Sequence, residues 1–467
     1  MTDAHEPPEQ RRVLGTLVLA QVLSGAGLAA GITVGALLAQ QMLGTTGLAG
    51  LPSALFTVGS AAAAAAVGRL SQRFGRRPGL TTGYAVGAAG SAGVVLAAVA
   101  GSVPLLFAAL FVYGAGIATN LQARYAGADL AAPARRGRAV STVLVATTLG
   151  GVLGPNLVSP MGNLATTWGI PPLAGPFLLS GAAYLLAALV LGLLLRPDPL
   201  RLARELAAAA PAPTGPGSTA ATAASSTTTA SSTPSSTALS SPTPPPSAAS
   251  PSAASPGAGS PGAGASAAGS PRGGTGGVAL GASVMVLTQL VMVAIMTMTP
   301  VHMAAHGHGV GAAGAVIAVH VAAMYLPSPI TGWLVDRYGR LVVAALSGVT
   351  LLASGLLAAT APADSVGLLA VALALLGLGW NFGLVSGTAI LTDAVPLERR
   401  ATTQGGVDVG VALAGAGGGL ASGAVVAASG YPVLALAGGV VALAIIPIVA
   451  AASRSRRDPL PEASSAS

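Results

Sequence analysis

The chain has 467 residues, of which 52% are hydrophobic and only 7% are Asp, Glu, Lys or Arg. A soluble domain carries about 25% charged residues, so a water-soluble globule of this size is excluded, because too few charges exist to cover its surface. The net charge of +8 rests on 21 arginines and no lysine, set in islands between apolar stretches, which excludes the contiguous basic face that a nucleic-acid binder needs.

Met1–Gln10 is polar, and Arg11 and Arg12 stand at the edge of an apolar run too long for a signal-peptide core. Six apolar segments follow, near 13–40, 46–67, 79–101, 103–123, 138–159 and 173–195. Residues 200–210 (LRLARELAAAA) read as a short interfacial helix. From about 207 to 275 the chain is Ala, Ser, Pro, Thr and Gly, which cannot form an apolar core and reads as a disordered tether. A second set of six lies near 277–301, 310–334, 341–360, 366–390, 403–428 and 431–452. Twelve helices of roughly 20 residues need about 240. The expectation is an all-α polytopic membrane protein of twelve transmembrane helices in two pseudo-symmetric six-helix bundles. Its parts are a tail (1–12), a first bundle (13–195), a linker (196–275), a second bundle (276–452) and a tail (453–467).

The arginines fall before the first span, after every even-numbered span and in the linker, whereas the odd-to-even loops contain none. By the positive-inside rule both termini and the linker face the cytoplasm of a multi-pass cell-membrane protein. Cysteine is absent, which removes disulfides and thiolate metal ligands.

One loop pattern occurs twice. Gly68-Arg-Leu-Ser-Gln-Arg-Phe-Gly-Arg-Arg77 follows the second span, and Gly332-Trp-Leu-Val-Asp-Arg-Tyr-Gly-Arg340 follows the eighth. The pattern resembles the loop signature of the major facilitator superfamily, over nearly the whole chain apart from linker and tails. The resemblance implies a latch between the halves formed by Gly68, Arg69, Arg73, Gly75 and Arg76 with Gly332, Asp336, Arg337, Gly339 and Arg340. Gln72 stands where an acid is usual, so the first latch is expected to be the weaker. Asp408 is an expected partner for Arg69 or Arg73. In span 5, Gly150, Gly154 and Pro155 resemble part of a motif of proton-coupled efflux members and form an expected helix bend.

Six of nine methionines and four of five histidines lie between 285 and 324. Met292 and Met296 share one helical face, as do His320 and Met324. Thioether sulfur is a soft ligand suited to Cu(I), and imidazole also binds copper. A neutral site holds a monovalent ion without burying carboxylates. Facing M-x-x-x-M and H-x-x-x-M helices then place Met292, Met296, His320 and Met324 around an ion, with Met298, His302, Met303, His306 and His308 as accessory capture residues. Methionine also fills gaps between apolar helices, and His320 alone is equally a proton carrier. The pair of motifs resembles the CcoA-like copper importers within the superfamily, which implies copper as cargo rather than as a resident cofactor.

The alternative is a proton-coupled transporter or efflux pump for a small organic solute or drug, whose cavity Gln21, Asn120, Gln122, Asn156, Gln289, Trp380 and Asn381 would line. With the central thirds of the spans free of Asp, Glu, Lys and Arg, His320 is the expected proton site there. No catalytic residues are expected, since no nucleophile–base pair or phosphate-binding loop is present. The expected partners are the lipid bilayer and a small-molecule or metal-ion substrate, handled by a monomer whose repeated halves rock around the cargo.

Overall fold

Lipid offers no hydrogen-bond partners, so a spanning backbone must satisfy itself, and long runs of Ala, Leu and Val do so as helix. The computed structural model describes residues 7–43, 51–209, 275–362 and 364–454. The first set of helices is α1 (Glu9–Leu43), α2 (Leu51–Phe74), α3 (Arg76–Ala100), α4 (Val103–Ala128), α5 (Arg136–Asn156) with its extension α6 (Val158–Thr167), and α7 (Gly175–Leu194). A short helix, α8 (Pro199–Ala209), then stands where the interfacial helix was expected. The second set is α9 (Thr275–Ala305), α10 (Val310–Tyr325) with α11 (Ser328–Tyr338), α12 (Arg340–Thr360), α13 (Val366–Ala394), α14 (Arg400–Ser429), and α15 (Tyr431–Ala442) with α16 (Ile445–Arg454).

Ten segments among the described residues are long and apolar enough to cross a membrane, and α1 and α5 take the first and fifth places of the first six. The architecture is therefore the expected all-α one, with two sets of six spans. The described residues before and after the linker pack as one compact unit. Linker residues 210–274 and the tail from 455 lie outside the described residues.

Helix ends follow local chemistry. The Leu105 and Leu368 amides donate to the hydroxyls of Ser102 and Ser365, which cap α4 and α13. Pro327, which has no N–H, divides the eighth span into α10 and α11. Each half has its own apolar core, around Leu17, Leu80, Leu110 and Phe177 in the first and Val291, Ile295, Leu351 and Leu376 in the second.

The halves meet along two helix pairs, α2 against α14 and α5 against α11. Both contacts need glycine. A Cβ on Gly68 would lie 2.8 Å from the Ala401 carbonyl, and one on Gly332 would overlap the Ser141 hydroxyl and lie 2.6 Å from the Gly137 carbonyl. Gly75 and Gly339 then turn the chain out of α2 and α11 with φ of 99° and 97°, a left-handed region that side chains other than glycine rarely adopt.

The expected bend in α5 takes a different form at each end. Gly150 is a packing point, since a Cβ there would overlap the Val22 carbonyl and lie 2.6 Å from the Ala26 nitrogen on α1. The helix stops at Asn156, directly after Pro155, and the side chains of 151–156, including Gly154 and Pro155, lie outside the described residues. Gly150→Val should destabilise the purified protein by the cost of overpacking, about 1–3 kcal/mol, seen as a lower melting midpoint. Gly15→Ala, which meets open space, should leave that midpoint in place.

Candidate functional site

The repeated loops close one end of the molecule, the end that carries the arginines, and they do so symmetrically. A helix start exposes backbone N–H groups that need acceptors. Asp336, on α11, accepts from the Gly137 and Arg138 amides at the start of α5, at 2.8 and 3.0 Å. Gln72, on α2, accepts from the Ala401 and Thr402 amides at the start of α14, at 2.7 and 3.4 Å. The Gln72 amide nitrogen also donates to the Leu397 and Glu398 carbonyls. Gln72 lacks the charge of an acid, but its amide supplies donors that a carboxylate lacks.

The arginines that end the two loops also correspond. Arg76, fully buried, pairs with Asp129 at the end of α4 (2.7 Å) and donates to Gln404 on α14. Arg340 pairs with Asp393 near the end of α13 (2.7 Å) and donates to the Pro133 carbonyl of the other half. Arg136 also pairs with Asp393 across the halves. Arg69, Arg73 and Arg337 are exposed, with Arg73 lying over the Phe74 ring and Arg337 over that of Tyr338.

Asp408 pairs with neither Arg69 nor Arg73. Its Oδ1 accepts from Arg124 Nη2 at 2.7 Å and from the Tyr125 hydroxyl at 3.1 Å, because α4 rather than the α2 loop presents a cation at its depth. Arg124, placed in a loop by its sequence position one residue beyond the predicted fourth span, is fully buried inside α4 and also donates to Thr388 on α13 and the Leu121 carbonyl. Arg124, Tyr125, Asp129, Asp393 and Gln404 are the functional residues that sequence reasoning missed. The available signal was that Arg124 directly follows the fourth apolar segment, well ahead of the Arg135, Arg136 and Arg138 cluster.

The start of the linker joins this closure. Asp198 accepts from the Leu200 and Arg201 amides of α8 and from the Arg77 amide of α3, at 3.0, 3.1 and 2.7 Å. Arg204 donates to the Gln72 carbonyl and to the Leu397 carbonyl, one from each half, at 3.0 and 3.3 Å.

The methionine and histidine cluster lies in the second half. His320 on α10 is fully buried, and its Nδ1 stands 2.8 Å from the Leu373 carbonyl of α13. A carbonyl only accepts, so that nitrogen carries the proton, and in the neutral ring Nε2 presents a lone pair. Nε2 is buried and has no hydrogen-bond partner among the described residues. Met285, Met292, Met303 and Met324 are buried in one apolar cluster, with Met296 and Met298 half-buried against it.

The expected facing of α9 and α10 is not the main packing. Helix α10 lies chiefly on α13 and helix α9 on α13 and α14 alike, and α9 and α10 touch each other over a short stretch only. Trp380 Nε1 donates to Gln289 at 2.7 Å, which ties α13 to α9. Asn381 Nδ2 donates to the Met324 carbonyl and to Ser328 at 2.7 Å each, which ties α13 to the α10–α11 break. Met285 packs on α13 beside Gly387.

At the end of α9 the His302 ring stacks on Tyr431, centroids 4.4 Å apart at 14°, and lies 4.4 Å from that of His306. His308 follows, half-buried. Among the described residues no group of three or more His, Asp or Glu is arranged to hold a metal ion. In the first half, Gln21, Ser24, Tyr84, Asn120 and Thr147 bond one another in a buried network, and Gln122 donates to the Ala64 carbonyl. Gln21, Asn120 and Gln122 thus join helices of one bundle. The side chain of Asn156 lies outside the described residues.

Among the described residues, the hydrogen bonds and ion pairs that join the halves all lie toward the arginine-rich end. The chain that builds these two bundles matches the Major Facilitator Superfamily profile over residues 17–268 and 281–467. The chain belongs to the major facilitator superfamily. It is a secondary transporter of that superfamily, not an enzyme. Over 439 residues it is 52% identical to YdeG, an uncharacterized MFS-type transporter of Bacillus subtilis, covering 94% of this chain and 91% of that one. The riboflavin transporter RfnT of Brucella anthropi is 29% identical over 419 residues, covering 87% and 86%. The crystal structure of the human organic anion transporter MFSD10 shares the fold, with a TM-score of 0.68 at 15% identity, covering 95% of this chain and all of that one.

Gln72→Ala removes the acceptor at α14, and a lost cap costs about 1 kcal/mol. The closed-to-open ratio at the arginine-rich end should fall roughly fivefold, measured by thiol labelling of single cysteines placed there in this cysteine-free chain. Gln72→Asp should retain most of the closure.

Proposed function

We propose that this transporter imports Cu(I) by alternating access, with His320 Nε2 as the central nitrogen ligand and Met292, Met296 and Met324 as the sulfur ligands. The observation that carries the reading is the His320 ring: its Nδ1 is tied to the Leu373 carbonyl while Nε2 is buried without a partner. A second-shell hydrogen bond of that kind fixes the tautomer and raises the basicity of the other nitrogen as a ligand. Four buried sulfurs in the adjoining cluster supply soft, uncharged donors. On this reading α13 is the post around which α9 and α10 bring the ligands together, so the site tightens as the second half rocks. Met298, His302, Met303, His306 and His308 serve at the entry end, the arginine-rich end faces the cytoplasm with both termini, and residues 210–274 tether the halves. The protein works as a monomer.

A second reading, a small organic solute as cargo, is favoured by the likeness to a protein named as a riboflavin transporter. The Gln289–Trp380 pair would line its path.

Uptake of radioactive copper under reducing conditions, in cells making the wild type or a variant at equal membrane levels, separates the two. His320→Ala and Met292→Ala/Met296→Ala should each reduce copper accumulation at least tenfold relative to wild type, on the order of one lost ligand contact. Equal copper accumulation in all three, together with uptake of labelled riboflavin by the wild type, would replace copper with the organic solute.

A further inference from the structure

A transporter that rocks between two states must break every contact that closes one end, and it breaks buried ion pairs least readily. The Arg124–Asp408 pair is such a contact: α4 belongs to the first half and α14 to the second, and the two side chains are 0% and 3% exposed. Separated as ions they would leave two desolvated charges without partners. Asp408 offers a way out. Both of its hydrogen bonds fall on Oδ1, and Oδ2 is buried with no hydrogen-bond partner among the described residues. We propose that Asp408 is the binding site of a coupling proton, taken up on Oδ2, and that its protonation releases Arg124 and lets the arginine-rich end open.

The step balances simply. A proton adds to the carboxylate to give the neutral acid, and Arg124 stays a cation, held by Thr388 and the Leu121 carbonyl until water reaches it. Reversal, with the proton leaving on the opened side, restores the pair and the closure. This depends on the family's rocking mechanism and not on the cargo.

The surroundings leave Asp408 as the group in question. Helix α4 presents Arg124 and Tyr125, and Arg76 of α3 lies behind the Tyr125 ring, 5.9 Å from its centre. From α2, Arg69 and Arg73 are exposed. Helix α13 presents neutral Thr388, with Asp393 at its far end already paired to Arg136 and Arg340. Helix α9 has no ionisable residue before His302, and α15 has only Tyr431. The other carboxylates at the arginine-rich end stand at helix ends or in the loops, whereas Asp408 lies eight residues beyond Arg400, about 12 Å into α14.

The test uses the full chain in lipid nanodiscs with spin labels on Ala66→Cys and Gly406→Cys, exposed positions of α2 and α14, so that the inter-half distance is read directly. The open-to-closed ratio should rise as pH falls, by up to about tenfold per pH unit, the limit for one linked proton. Asp408→Asn should be open-shifted and independent of pH, while Asp364→Asn, at an exposed loop carboxylate, should keep the wild-type slope. Asp408→Glu, which preserves the charge, should keep the slope with a moved midpoint, and it serves if the asparagine variant does not fold. A wild-type slope retained by Asp408→Asn, an unmoved midpoint in Asp408→Glu, or a wild type that responds to sodium and not to pH would each overturn the proposal. None of these results depends on whether copper is carried, so a failure of the cargo reading remains a separate finding.

Discussion

Each half of this transporter completes a helix that belongs to the other. A helix start is a small cluster of unsatisfied N–H groups that need acceptors. Asp336 supplies the acceptor for α5 and Gln72 the acceptor for α14, so closure is written into the backbone chemistry of two helices rather than added as a surface contact. Glycines at 68 and 332 let the paired helices approach until those side chains reach. The bonds of Arg76 to Gln404 and of Arg340 to the Pro133 carbonyl cross the same seam.

Much of the architecture was legible in the sequence because lipid imposes a one-dimensional rule. Segment length and the partition of arginines gave the twelve spans, and a nine-residue pattern repeated across the halves located the closing loops. What did not follow was partner choice. Asp408 was matched to the loop arginines because those are near in topology, yet depth along the helix decides the pairing, and Arg124 stands at that depth. Likewise Gln72 looked like a weakened acid, whereas its amide satisfies donors and acceptors together. Such outcomes depend on three-dimensional register, which composition and periodicity do not carry.

The His320 neighbourhood shows the same division. The i, i+4 spacing of His320 with Met324 correctly set both on one face, and both are buried. The spacing did not show that α9 and α10 would both pack on α13, nor that its Leu373 carbonyl would orient the imidazole. Helix α13 carries few chemically conspicuous residues, yet Trp380, Asn381 and the Leu373 carbonyl make it the element that orders the second half's interior.

The placement of Arg204 has a mechanical consequence. Its guanidinium grips one carbonyl from each half, and it sits on the short helix α8. Parting that end therefore requires α8 to let go of one half, which makes this short helix a third party to the seam.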